Sequence, residues 1–316
     1  MNVLLLITGL ALILAGAHLL TDGAAAVAER LRIPEFVIGL TVVAVGTSTP
    51  ELVVSLLSAA GGQSGVAIGN VVGSNLFNTL AILGLCALVR PLPLTAANIR
   101  RDIPFGLGAA LLLAAFLSDR WLGTGPADRI GRGEGIAMLA LYLLLTMWTI
   151  RRERRTAPPA PAGHTPPKRL WPAAAKIAAG LAGLVFGGEL FLGSATAIAR
   201  ALGVAESTIA ITLVAGGTSL PELASSLVSV AKGRTAMALG NVVGSNIANI
   251  LLILGASAAV RPLTPDGITP VDTAMVVLSS LALLATAFTF RRRTLDRWEG
   301  VLFLAAYGAY IWYLIK

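Results

Sequence analysis

The chain has 316 residues, 56% of them hydrophobic and only 13% charged, a balance that a soluble domain has too little interior to hide. Its net charge of +8 would suggest a nucleic-acid partner in a soluble protein, but the basic residues fall in short loops beside apolar runs, which excludes that class and points to a polytopic membrane protein. The single Cys86 excludes an intramolecular disulfide and any multi-cysteine zinc or iron–sulfur site, and in its apolar run it reads as a small packing residue.

Apolar runs long enough to cross about 30 Å of hydrocarbon fall near 3–28, 35–60, 65–89, 103–118, 134–150, 173–199, 206–231, 235–259, 269–290 and 298–315. The expectation is an all-α protein with ten transmembrane helices. The first run lacks a basic leader and is too long for a signal peptide, so it reads as a retained helix. His18 and Asp22 stand four apart on one face of it, either as a structural pair or beside a water path. The second run carries Gly46-Thr47-Ser48-Thr49-Pro50-Glu51, a carboxylate and a helix breaker inside sequence otherwise fit for lipid. Gly61-Gly62-Gln63-Ser64 makes a tight outer turn before the third run, which carries Gly69-Asn70-Val71-Val72-Gly73-Ser74-Asn75 and then Asn78. Runs four and five hold no ionisable residue at their centres and read as scaffold.

Residues 151–172 begin Arg151-Arg152-Glu153-Arg154-Arg155 and continue through a proline-rich stretch to Lys168-Arg169. They form a solvated basic linker between an N-terminal repeat, 1–150, and a C-terminal repeat, 173–316. The sixth run carries Glu189, which aligns with His18 and is either a second polar point or a structural residue. The seventh repeats the first signature as Gly217-Thr218-Ser219-Leu220-Pro221-Glu222, and the eighth repeats the second as Gly240-Asn241-Val242-Val243-Gly244-Ser245-Asn246, followed by Asn249. At an offset of 171, Ile38–Pro93 aligns with Ile209–Thr264 without a gap and with 33 of 56 positions identical, which is duplication rather than coincidence. Because each half has five runs, the second starts on the opposite side of the membrane, and the halves are inverted about an axis in the membrane plane. With the N-terminus outside, 18 Lys and Arg fall on the inner side and 6 on the outer. The excess of basic residues in inner loops therefore puts both termini outside.

Pro50 has no N–H and its ring clashes with the carbonyl of Gly46, so the helix must open there, and Pro221 does the same to Gly217. Broken helices at the midplane are where transporters coordinate ions. Thr47 and Glu51, Ser74 and Asn78, Thr218 and Glu222, and Ser245 and Asn249 are each four apart and share a helical face. Four helices thus aim two carboxylates, two amides and several hydroxyls at one point. An all-oxygen set without cysteine or paired histidines favours a hard cation over zinc or copper, and with freed carbonyls it can reach the roughly 6–8 oxygens that Ca²⁺ takes. Two negative charges match one Ca²⁺ or two monovalent ions, so competition for shared ligands gives exchange. The glycines at 69, 73, 240 and 244 read as small residues that let helices pack closely in lipid, because no Gly-Lys-Ser/Thr follows as a phosphate loop requires.

The duplicated Gly-Thr-Ser-x-Pro-Glu and Gly-Asn-x-x-Gly-Ser-Asn motifs resemble the two α-repeats of the cation/calcium exchanger superfamily, in particular prokaryotic sodium/calcium exchangers. The resemblance implies an inner-membrane antiporter, not an enzyme, that extrudes Ca²⁺ against Na⁺ by alternating access, with the first and sixth helices sliding over a fixed bundle. It implies ion ligands at Glu51, Glu222, Thr47, Thr218, Ser48, Ser219, Ser74, Ser245, Asn78 and Asn249, with main-chain oxygens near Ala44 and Ala215. It requires no cofactor and no obligatory protein partner beyond membrane lipid. Many relatives carry an aspartate at one of the two positions filled here by Asn78 and Asn249, which leaves H⁺ open as the driving ion. A H⁺/Ca²⁺ exchanger of the same build is the nearest alternative, and a passive cation channel is the alternative from another class.

Overall fold

The computed structural model describes residues 2–118, 128–156, 170–202 and 217–315, and these are almost entirely helical. The first half contains α1, Asn2–Leu31; α2, Glu35–Thr47, and α3, Thr49–Ala60, which meet at a bend of 48°; and α4, Ser64–Val89. Then come α5, Ile103–Phe116, and α6, Arg132–Thr156. The second half contains α7, Trp171–Ala201; α8, Leu220–Ala231; α9, Thr235–Val260; α10, Pro270–Ala285; and α11, Arg297–Ile315.

Among the described residues, six helices are long and apolar enough to cross a membrane, and the bent pair α2–α3 makes a seventh. The remaining three expected runs are shorter helices of 14, 12 and 16 residues at α5, α8 and α10. The first part of the seventh run lies outside the described residues. The linker also differs from expectation at its edges. Arg151-Arg152-Glu153 continues α6 as helix to Thr156, because unbranched Arg and Glu are good helix formers.

Burial sorts the helices into a centre and a rim. The apolar windows of α4 and α9 are 78% buried, whereas those of α1 and α7 are 28% and those of α6 and α11 are 22% buried. At the centre, α9 runs against α2, α3 packs on α4, and α8 packs on α9. The rim helices cross over. The first half's α6 packs on α9, and the second half's α11 packs on α4. Gly135 meets Gly255 and Gly84 meets Gly300 at these contacts, where a Cβ on Gly135 or Gly300 would lie 2.7 or 2.8 Å from the facing carbonyl oxygen. The most extensive pair is α1 with α7, which lie antiparallel with Gly9, Gly16 and Gly23 against Gly187, Gly180 and Ala173. Small residues spaced by seven bring these two backbones together in a setting where lipid supplies no hydrophobic drive.

Short contacts tie particular loops together. Leu92–Pro93 (β1) pairs antiparallel with Thr294–Leu295 (β2), and Ile130 bridges Leu263. Gly62 and Gly233 both turn with φ +79°, a left-handed conformation that glycine adopts without penalty. The side chain of Arg261 covers the first turn and that of Arg90 the second. Arg101 binds Asp102 and Glu153, each at 2.6 Å, Lys232 binds Asp22 at 2.6 Å, and Arg234 binds Glu35. Tyr310 donates to Asp272 at 2.8 Å.

Candidate cation pocket

The two signature segments break at equivalent residues. Ser48 (φ −81°, ψ 11°) separates α2 from α3, and Ser219 (φ −90°, ψ 9°) precedes α8. Pro50 and Pro221 follow in the first turn of the next helix, where a missing N–H leaves no bond unmade. The break carries each serine hydroxyl across to the other half of the chain. Ser48 Oγ donates to Glu222 Oε1 at 2.7 Å, and Ser219 Oγ donates to Glu51 Oε1 at 2.9 Å. Each carboxylate is thus oriented by the opposite repeat's serine.

Glu51, Glu222, Thr47, Ser48, Ser219, Ser74, Ser245, Asn78 and Asn249 are all buried here. Ser74 Oγ lies 3.2 Å from Ser219 Oγ, and Ser245 lies beside Glu222. Ala44 is buried too, but its carbonyl already accepts the Ser48 N–H at 3.0 Å and the Thr47 hydroxyl at 3.3 Å. Ala215 lies outside the described residues. Thr218 is only partly buried, whereas its equivalent Thr47 is fully buried.

Asn78 and Asn249 sit in equivalent π-helical turns, Phe77–Ile82 and Ala248–Leu254. Such wide turns are frequent at functional sites. Their amide nitrogens are engaged across the repeats. Asn78 Nδ2 donates to Asn246 Oδ1 and Asn249 Nδ2 to Asn75 Oδ1, both at 3.1 Å. Both amide oxygens are left free.

Six side-chain oxygens among the described residues are buried without a hydrogen-bond partner: Glu51 Oε2, Glu222 Oε2, Asn78 Oδ1, Asn249 Oδ1, Ser245 Oγ and Ser257 Oγ. Five of the six belong to the ligand set read from the sequence. An unpaired buried acceptor costs about 1–3 kcal/mol, so this concentration of acceptors suits a positively charged occupant. With two formal charges and oxygen throughout, the chemistry is that of a hard cation.

Sequence reasoning left out the frame around the pocket. Asn241 Nδ2 donates to Ser225 and Ser226 Oγ at 3.0 and 2.9 Å, and its Oδ1 accepts from Thr47 at 3.3 Å. Asn70 does the equivalent work, bonding Ser55 Oγ at 3.0 Å and the Glu51 carbonyl at 3.2 Å. The available signal was their duplication within the glycine motif. Asn241→Ala should strand the Ser226 hydroxyl and leave Ser225 and Thr47 with only their bonds to the Glu222 and Ala44 carbonyls, costing about 1–3 kcal/mol of stability. It should also weaken cation affinity through the displaced Thr47. Thermal melting and the Ca²⁺ dependence of flux check this together, and an unchanged melt would remove Asn241 from the frame.

Asp22 forms its ion pair with Lys232, which also reaches the His18 carbonyl at 3.4 Å. The side chains of His18 and Asp22 are exposed, so of the two expectations the structure gives Asp22 a structural contact with a loop. Glu189 is also exposed and lines a cavity of about 350 Å³ that reaches Thr218.

A buried pair of carboxylates held by two duplicated signature segments, with non-helical Ser48 and Ser219 just before each carboxylate's helix, in an apolar bundle defines a cation-handling membrane protein. Residues 1–151 and 173–316 match the family described as sodium/calcium exchanger protein, and the chain belongs to that family. It is therefore a multi-pass membrane transporter and not an enzyme. The chain is 32% identical to the sodium/calcium exchanger MaX1 of Methanosarcina acetivorans over 98% of its own length and 97% of that protein's. It is also 32% identical to the inner membrane protein YrbG of Escherichia coli, over 98% and 94%. The solved structure of the sodium-calcium exchanger NCX_Mj soaked with 10 mM Na⁺ and zero Ca²⁺ superposes with a TM-score of 0.85 at 32% identity, covering 98% of this chain and 97% of that one.

Proposed function

We propose that the protein is a Ca²⁺/Na⁺ antiporter of ten membrane helices in two inverted repeats, extruding Ca²⁺ by alternating access through the Glu51/Glu222 pocket. The observation that carries the reading is the crossed pair Ser48–Glu222 and Ser219–Glu51, with the five unpaired oxygens around it. One Ca²⁺ or two Na⁺ would neutralise the same two carboxylates, so the ions exclude each other and exchange. Relatives whose names specify sodium and calcium support these substrates.

The loop contacts support inversion. Leu92 with Leu295, Arg101 with Glu153, Asp22 with Lys232, Glu35 with Arg234 and Arg90 over Gly233 each join segments assigned to the inner side. Ile130 with Leu263, Tyr310 with Asp272 and Arg261 over Gly62 join segments assigned to the outer side. None of these contacts crosses the assignment. Alternating access is supported by asymmetry within the symmetry. Thr218 borders a cavity while Thr47 is fully buried. With the orientation assigned from the basic residues, the cavity walls Val53, Val54 and Leu192 belong to the outer halves of their helices, which supports an outward-open arrangement.

The deciding experiment is ⁴⁵Ca²⁺ uptake into proteoliposomes, first under a Na⁺ gradient and then under a pH gradient. Na⁺-driven accumulation is expected. Accumulation driven by pH alone would make H⁺ the partner ion, and uptake on voltage alone would make the protein a channel.

Orientation has its own test. Arg155→Cys in a Cys86→Ala background should react in intact cells only with a permeant maleimide, and Gln63→Cys should react from outside. Ser64, the turn residue next to it, is buried as the first residue of α4, so the exposed Gln63 is the better probe. Opposite labelling would reverse the orientation and leave the inverted repeat standing.

A further inference from the structure

Glu189 stands 18 residues into the 31-residue helix α7, about 27 Å from its start at 1.5 Å per residue. That places an ionisable side chain deep in the membrane. It is exposed, and no ion pair or hydrogen bond holds it among the described residues. A carboxylate at this depth facing hydrocarbon would be costly, and such residues ordinarily face a bundle interior or a water-filled cavity. Here it lines the 350 Å³ cavity whose other walls include Thr49 and Pro50 from the first helix break and Thr218 and Pro221 from the second. Thr218 is the one member of the expected ligand set on that wall, so the cavity extends from Glu189 to one edge of the buried pocket.

We propose that Glu189 is a vestibule carboxylate that takes up a partly hydrated hard cation between the outer face and the Glu51/Glu222 pocket. This rests on the exchanger reading above. The physical role follows from geometry. A single negative charge in a cleft with low-dielectric walls concentrates cations there. One carboxylate beside two threonine hydroxyls supplies too few oxygens to strip Ca²⁺ of its water, so the cation is held loosely and passes inward. The duplicated counterpart of Glu189 is His18, which supplies no carboxylate, and this makes the device one-sided.

The test uses Na⁺-loaded right-side-out and inverted membrane vesicles, with ⁴⁵Ca²⁺ as probe. Glu189→Gln should raise the apparent KM for Ca²⁺ about three- to tenfold at the outer face, the size expected for losing one focusing charge, and leave the inner face unchanged. Glu189→Asp should restore the parent KM. An equal shift at both faces, or none, overturns the proposal. A second arm does not depend on transport. In a Cys86→Ala background, Glu189→Cys should react with an impermeant cationic thiol reagent only from outside. A cysteine that resists the reagent overturns the proposal even if Glu189→Gln folds poorly. Parent vesicles without Na⁺-driven uptake would sink the exchanger reading instead, and the labelling arm would still decide whether Glu189 faces an outer vestibule.

Discussion

Glu51→Gln and Glu222→Gln should each cut Na⁺-driven Ca²⁺ flux by about 100-fold or more, the scale for removing one partner of a buried charge pair, while the protein remains folded in the membrane. The two carboxylates are the only formal charges among the expected ligands, and each already spends one oxygen on a serine of the other repeat. Glutamine keeps the shape and can keep the serine contact. It cannot keep the charge, and its NH₂ group points a donor where the carboxylate had an unpaired oxygen. The fold should survive because a buried neutral amide is easier to bury than an unpaired carboxylate. Uptake of ⁴⁵Ca²⁺ into proteoliposomes and size-exclusion profiles of the purified variants measure the two halves of this claim. Because the crossed serine bonds are equivalent, the two variants should fail alike, and near-normal flux in both would dismantle the shared pocket.

What the sequence could reveal was the content of each helical face. Thr47 with Glu51 and Ser245 with Asn249 share a face by a spacing of four and by duplication, and the structure buries all four. Which faces meet is a matter of packing between repeats, and periodicity carries no record of it. The Ser48–Glu222 bond spans 174 positions, and the Asn241–Thr47 bond spans 194. Nor does hydropathy mark where a helix widens into a π turn, yet the turns at Asn78 and Asn249 accompany the freeing of their amide oxygens. The difference between Thr47 and Thr218 was illegible for another reason. Duplicated sequence is symmetric, and a conformational state is not.

The glycine motifs were legible as packing residues, and they carry the second large effect. Gly244→Ala is expected to destabilise the protein and to cost most of its transport, whereas Gly308→Ala should be neutral or slightly stabilising. In a helix interior alanine is ordinarily better than glycine by about 0.5–1 kcal/mol, and a Cβ at Gly308 would meet nothing within 4 Å. At Gly244 it would lie 2.3 Å from the Leu40 carbonyl oxygen and 2.6 Å from the Leu40 Cα. A Cβ on Gly240 would lie 2.2 Å from the Phe36 carbonyl oxygen and one on Gly39 2.3 Å from that of Met237, so α2 and α9 touch backbone to backbone. None of these atoms is the end of a flexible side chain, so the helices themselves must part, from 2.3 Å to at least 3.0 Å at that contact. Overpacking of this kind costs about 1–3 kcal/mol. Gly244 lies between Asn241, which meets Thr47 across this contact, and Ser245, which stands beside Glu222. A shift of about 1 Å at an ion pocket can remove about 100-fold in rate, as it does for other precisely oriented groups. Melting temperature and Na⁺-driven ⁴⁵Ca²⁺ flux for the two variants side by side provide the measurement. If Gly244→Ala melts and transports like Gly308→Ala, close approach of α2 and α9 is not what sets the pocket.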